Sequence, residues 1–244
     1  MLDVQLSQDA TGFLCASAVM VGLVEALKAL ATTGLYPSTF TRKLLHIAAG
    51  PVFMLTWPWF GSTEATKLWA SAVPLTMTAK FALTGLGVIR QESEVKMMSR
   101  TGNRQDLLRG PLLYGLVFTV ATFFGFRTTT AACSLAALCA GDGMADIMGR
   151  RYGGTHTLPW SPRKTWAGSA AYVVSAFAAS YAFVQLFYAW GWGGMTTPSE
   201  LVLPLLAASL ISAGAESLPM LDIDNVIAPL CFAVALRMLA PGVS

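Results

Sequence analysis

The sequence predicts an all-α fold, a polytopic transmembrane helical bundle of about seven or eight spans forming one integral membrane domain over residues 1–244. Three observations predict it. Hydrophobic residues make up 55% of the chain and charged residues only 12%, whereas a soluble domain carries roughly 25% charged residues; the mean hydropathy of +0.57 agrees. Apolar runs near the length needed to cross a bilayer, roughly 20 residues, recur along the whole chain and leave no stretch for a separate soluble domain. Such runs must be helices, because irregular backbone against lipid would strand its N–H and C=O groups.

The expected spans cover 12–31, 44–60, 68–89, 111–126, 128–147, 166–190, 201–217 and 226–239. Several are short or interrupted by proline, at Pro74, Pro204 and Pro229. No internal repeat stands out. The four cysteines lie in apolar runs without CxxC spacing, so they read as buried thiols and suggest neither disulfides nor zinc. The opening MLDVQLSQDA is acidic and unlike a transit peptide. A targeting segment, if the protein works in an organelle, is expected to precede it.

Charge alternates between the loops. The first carries Arg42 and Lys43; the third Arg90, Lys96, Arg100, Arg104 and Arg109; the fifth Arg150, Arg151, Arg163 and Lys164. The second has Lys67 alone, the fourth Arg127, and the sixth no cation. Positive charge marks the cytoplasmic side or its topological equivalent. The sequence stretches 41–46, 99–111, 141–169 and 216–225 are therefore expected at one membrane face. A net charge of +3 distributed in this way suits membrane orientation and anionic ligands rather than nucleic acid.

The richest stretch is CAGDGMADIMGRRYGGTHTLPWSPRKTWAGS, residues 139–169. Asp142 and Asp146 are four apart, so one helix would stack both carboxylates on one face. Gly141, Gly143 and Gly149 keep that face low, and Gly153-Gly154 ends the helix. Lys164 precedes the next apolar run, whose first N–H groups would be open to an anion. Carboxylates for Mg²⁺, open backbone and a lysine suit a nucleoside triphosphate. A polar loop that only holds the membrane boundary is the plainer alternative, but orientation by positive charge needs no aspartates.

Other constellations are less specific. Arg42 and His46 share a helical face, and His46 is directed into the membrane; anchor and site remain equally open. The third loop, ending in Gly110-Pro111 where a helix should begin, reads mainly as a solvated basic loop. Lys80 lies inside a span and needs a partner or a polar cavity, and Glu25 with Lys28 reads as a simple pair. Glu216, Asp222, Asp224 and Asn225 form an acidic loop on the basic side, where anchoring gives them no purpose; a base or a further Mg²⁺ ligand is expected there.

These motifs together resemble the phytol kinase family, which belongs with the farnesol and dolichol kinases. The matching stretches are RKLLH at 42–46 followed by Gly50, LLRGPLLY at 107–114, GDGMADIMGRRYG at 141–153, KTWAGS at 164–169, and ESLP…DN within 216–225. Where the family pattern has an asparagine before Lys-Ser, this chain has Ser161-Pro162-Arg163 and then Lys164-Thr165, which keeps the hydroxyl. The resemblance implies a membrane enzyme, in a chloroplast membrane or a bacterial inner membrane, that phosphorylates an isoprenoid alcohol with CTP and Mg²⁺. It implies Asp142 and Asp146 at the metal, Lys164 and Asp224 in catalysis, and Gly141, Gly143, Arg150, Arg163, Thr165 and Gly168 around the nucleotide. Arg42, Lys43, His46, Arg109, Glu216 and Asn225 are expected to meet substrate or phosphate. A cytidylyltransferase making a CDP-lipid, and a transporter using Lys80 and the aspartates, are the alternatives. No G-x-x-x-x-G-K-[ST] loop is present, so a P-loop kinase is excluded.

Overall fold

The computed structural model describes residues 2–192, 196–219 and 223–243. The chain divides into two compact units, 1–126 and 127–244. Helices account for most of both.

In the first unit, α1 runs from Leu2 to Thr32, so the acidic opening is helical. Its Asp9 is buried, accepting the Gly61 N–H at 2.7 Å and the Thr66 hydroxyl at 3.1 Å. A carboxylate so deeply placed must be hydrogen-bonded, and these bonds fix α1 against the turn before α3. α2 (Ser38–Leu55) is followed by a short 3₁₀ turn, Trp57–Trp59, and Phe53, Met54, Trp57 and Phe60 are fully or almost fully buried there. α3 (Thr66–Leu86) stops at Gly87, whose φ of 82° is the left-handed cap that glycine provides. α4 (Glu92–Met98) is short. α5 (Gly110–Gly125) begins at the expected Gly-Pro, with proline in the first turn where no N–H is needed.

The second unit opens with one continuous helical rod, Thr129–Tyr152. It consists of α6 (Thr129–Ala136), a π turn over Ala137–Asp142, and α7 (Gly143–Tyr152). A two-stranded antiparallel hairpin follows, β1 (Thr157–Leu158) and β2 (Ser161–Thr165). α8 (Trp166–Ala189), α9 (Val202–Glu216) and α10 (Asp224–Leu239) complete it. Cys133, Ala137, Tyr172, Ala176, Leu205, Ala208 and Phe232 form its core, and the small residues among them let backbones approach closely.

The all-α membrane bundle expected from the sequence is thus the fold, with the hairpin as a small addition in the fifth loop. Each of the eight expected spans coincides with helix. Among the described residues, five helical segments are long and apolar enough to cross a membrane: Leu6–Thr32, Arg104–Gly125, Thr129–Tyr152, Trp166–Ala189 and Pro198–Glu216.

Candidate active site

The site is built where four elements of the second unit end. The rod widens into its π turn just before Asp142, and such turns re-aim the side chains that follow them. Two contacts from α8 fix the turn. The Ser175 hydroxyl, which also donates within α8 to the Ala171 carbonyl, lies 3.1 Å from the Ala140 carbonyl. The Tyr172 ring lies against Gly141 so closely that a Cβ there would fall 2.8 Å from the ring, and only glycine is accommodated. One turn further on, Gly149 and Gly168 let α7 and α8 meet; a Cβ on Gly168 would stand 3.0 Å from the Ala145 carbonyl.

Glu216 is the last residue of α9 and Asp224 the first of α10. Carboxylate oxygens of Asp142, Glu216 and Asp224 all lie within 4.8 Å of one another. Lys164, on β2, enters this cluster and donates to Glu216 Oε1 and, at 3.2 Å, to Asp224 Oδ2. Glu216 is almost fully buried, its side chain 4% exposed, and Asp224 and Lys164 are partly covered at 15% and 24%. Burial works against the lysine's charge, but Glu216 outweighs it, with help from Asp224 and Asp142, and the ammonium titrates above its ordinary range. Within this unit Lys164 pairs with two of the three carboxylates. Carboxylate oxygens gathered within a few ångströms are the donor set that a hard divalent cation takes.

The hairpin exists to bring Lys164 there. Thr165 closes it and caps α8, its hydroxyl accepting the Gly168 N–H at 3.1 Å. At its turn, Trp160 Nε1 donates to Ser217 Oγ at 3.1 Å, fastening the hairpin to the end of α9. Gly153 follows α7, and Gly154, at φ 50°, takes the left-handed turn into the hairpin.

The structure places the other expected residues as follows. Asp146 does not join Asp142; its carboxylate accepts from Arg150 Nε at 2.9 Å on the α7 surface. Arg163 is exposed beside Lys164, Gly143 is buried at the start of α7, and Asn225 is buried behind Asp224. Asp222 lies outside the described residues. In the first unit, Arg42, Lys43 and His46 are half-buried on α2. The His46 carbonyl accepts the Tyr114 hydroxyl at 2.8 Å, and the two rings lie 4.4 Å apart. Arg109 is exposed just before α5. The third loop closes on Asp106, which accepts from Ser99 and from the backbone of Arg100 and Thr101. Lys80 has the partner that its position demanded: it pairs with fully buried Glu94, and Lys28 stands 3.9 Å from the same oxygen. Glu25 and Lys28 pair at 2.7 Å.

Comparison with known proteins adds an independent line. The chain is 38% identical over 229 residues to a probable phytol kinase 2, chloroplastic, of Oryza sativa subsp. japonica, which is 92% of this chain and 74% of that protein. It belongs to the phytol and farnesol kinase family. Phytol kinase 1, chloroplastic, of Arabidopsis thaliana is 36% identical over 218 residues, 87% of this chain and 70% of its own length. Farnesol kinase, chloroplastic, of the same plant is 42% identical over 194 residues; there the match covers 79% of this chain and 62% of the relative. No protein-family model matches the chain, and no solved structure matches it. Three of the family-like motifs converge in the cluster: GDGMAD supplies Asp142, KTWAGS supplies Lys164, and ESLP…DN supplies Glu216 and Asp224.

Sequence reasoning did not single out Tyr172, Ser212 or Trp160. The first two are isolated polar groups within apolar runs, where spacing carries no signal. Trp160 sat in a stretch read as loop.

Proposed function

We propose that the chain is an isoprenoid-alcohol kinase of a chloroplast membrane, transferring the γ-phosphoryl group of CTP to phytol or a related prenyl alcohol. The observation that carries this reading is the gathering of Asp142, Glu216 and Asp224 around Lys164 in a member of this family. The relatives' names supply the acceptor class and the compartment, and the apolar helices supply the membrane. A long apolar alcohol can remain among such helices while its hydroxyl reaches a polar surface.

Asp142 and Glu216 are the residues that would hold Mg²⁺, which would supply positive charge against the donor's phosphates. Lys164 brings a fixed ammonium to the same place, where it meets phosphate oxygens as a point charge. Arg150 and Arg163, both exposed, are assigned to the outer phosphates. Asp224 accepts the proton of the alcohol. The alcohol oxygen attacks the γ-phosphorus, the bond to the β-phosphate oxygen breaks, and CDP leaves. Charge stabilisation by positioned groups supplies most of the catalysis in such a transfer.

The test uses CTP labelled either at the γ- or at the α-phosphate, with Mg²⁺ and a panel of phytol, geranylgeraniol and farnesol. Label from the γ-position in a prenyl monophosphate, with CDP released, supports the proposal. Label from the α-position in a CDP-lipid, with a prenyl phosphate as acceptor, would identify a cytidylyltransferase instead. Flux in proteoliposomes without nucleotide turnover would indicate a transporter.

A further inference from the structure

We infer that Tyr172 is a positioning residue that sets the spacing of all three carboxylates without touching them. The inference rests on the metal reading of the cluster given above. Tyr172 and Ser212 are both fully buried, and their hydroxyl oxygens are 2.7 Å apart. Ser212 gives its one proton to the Ala228 carbonyl at 2.8 Å. Tyr172 must therefore be the donor to Ser212, and a directed chain runs from α8 through α9 to α10.

The members of this chain have a common relation to the site. Ser212 is four residues before Glu216 on α9, and Ala228 is four residues after Asp224 on α10. Each stands one helical turn from its carboxylate. The Tyr172 ring itself lies against Gly141, the neighbour of Asp142. One side chain thus reaches the backbone position beside Asp142 through its ring, and the helices of Glu216 and Asp224 through its hydroxyl. Three carboxylates within 4.8 Å of one another repel, and the helices that carry them would relax apart unless held close by. A clamp one turn below holds the helices without occupying the carboxylate oxygens. Fully satisfied buried networks rigidify their surroundings in this manner.

The test measures Mn²⁺, standing in for Mg²⁺, bound by the purified full-length chain in detergent without nucleotide, read from the free-ion electron paramagnetic resonance signal. Tyr172→Phe keeps the ring against Gly141 and removes one oxygen; Ser212→Ala removes both links. Each should weaken Mn²⁺ binding roughly tenfold, the lower end of what outer partners of metal ligands cost. Ser180→Ala is the control for a structural loss: its hydroxyl donates to the Cys133 carbonyl at 3.0 Å, a buried bond between α8 and α6 two turns from Tyr172. That variant should lose comparable stability and bind Mn²⁺ like the unsubstituted protein. Unchanged Mn²⁺ binding in Tyr172→Phe, or equal weakening in Ser180→Ala, would overturn the inference. If Ser212→Ala does not fold, Tyr172→Phe still decides. Failure of the unsubstituted chain to bind Mn²⁺ would overturn the metal reading and the inference with it.

Discussion

Each unit of the chain buries a charge cluster, and the two clusters differ in balance. In the first unit, Glu94 takes Lys80 and approaches Lys28, which also pairs with Glu25. Among the described contacts two acids meet two bases, and these charges balance. In the second unit, among the described contacts, Lys164 faces Asp142, Glu216 and Asp224. A neutral group needs nothing further, and its physical role is to let a lysine remain within a helix that is otherwise apolar. A group in which the described contacts gather more acids than bases costs desolvation that a bound cation can offset. The comparison separates a structural ion pair from a site, although both look alike as buried charges.

The sharpest way to break that distinction is to remove a carboxylate from the unbalanced cluster. Asp142→Asn or Glu216→Gln should lower kcat at least about a hundredfold, the scale for losing one group that stabilises transition-state charge. Thermal stability should hold or rise, because repulsion is relieved. A large loss of stability with activity retained in the folded fraction would make this cluster structural too. Lys164→Ala sharpens the same point from the other side. Turnover should fall roughly tenfold or more, and the melting temperature should drop but recover as Mg²⁺ is added. A melting temperature indifferent to Mg²⁺ would show that the carboxylates attract no cation.

The neutral cluster should respond in the opposite manner. Glu94→Gln leaves Lys28 and Lys80 without their shared buried partner, so stability should fall by about 3 kcal/mol, measured by denaturant unfolding. Turnover per folded molecule should stay near normal. On the surface, Asp146→Asn breaks only an exposed i,i+4 pair with Arg150 and should shift stability by no more than about 0.5 kcal/mol. Its Mg²⁺ requirement should match that of the unsubstituted protein; a raised requirement would return Asp146 to the metal. The smallest effect is with pH. A lysine whose folded pKa is raised contributes stability fully below its unfolded value and loses it only as pH climbs through the raised value. Since Lys164 is shifted upward from an ordinary value of about 10.4, its ion pairs should contribute a flat term between about pH 7 and pH 9.

Much of this arrangement was legible in the sequence, and the reasons are physical. Apolarity and length gave the helices, because lipid permits little else. Charge on the loops drew attention to Asp142, Lys164, Glu216 and Asp224, since each is costly near a membrane without a purpose. The partnership was less legible. Spacing paired Asp142 with Asp146, whereas the contact that forms joins Asp142 to residues far along the chain, and no local period encodes that. The approach of the Tyr172 ring to Gly141, beside the π turn, is a tertiary contact. The hairpin at 157–165 is too short to show strand alternation. Glu94 as the partner of Lys80 was equally hidden, although the need for a partner was plain from Lys80 alone.

The central claim is that the unbalanced cluster of the second unit is where CTP and Mg²⁺ meet an alcohol. The most direct measurement follows γ-labelled CTP into prenyl monophosphate as Mg²⁺ is varied, for the unsubstituted chain and for Asp142→Asn in parallel. The account predicts Mg²⁺-dependent labelling of phytol or a related alcohol by the former, and at least about a hundredfold less by the latter at every Mg²⁺ concentration. Equal labelling by both proteins, or labelling independent of Mg²⁺, would contradict it.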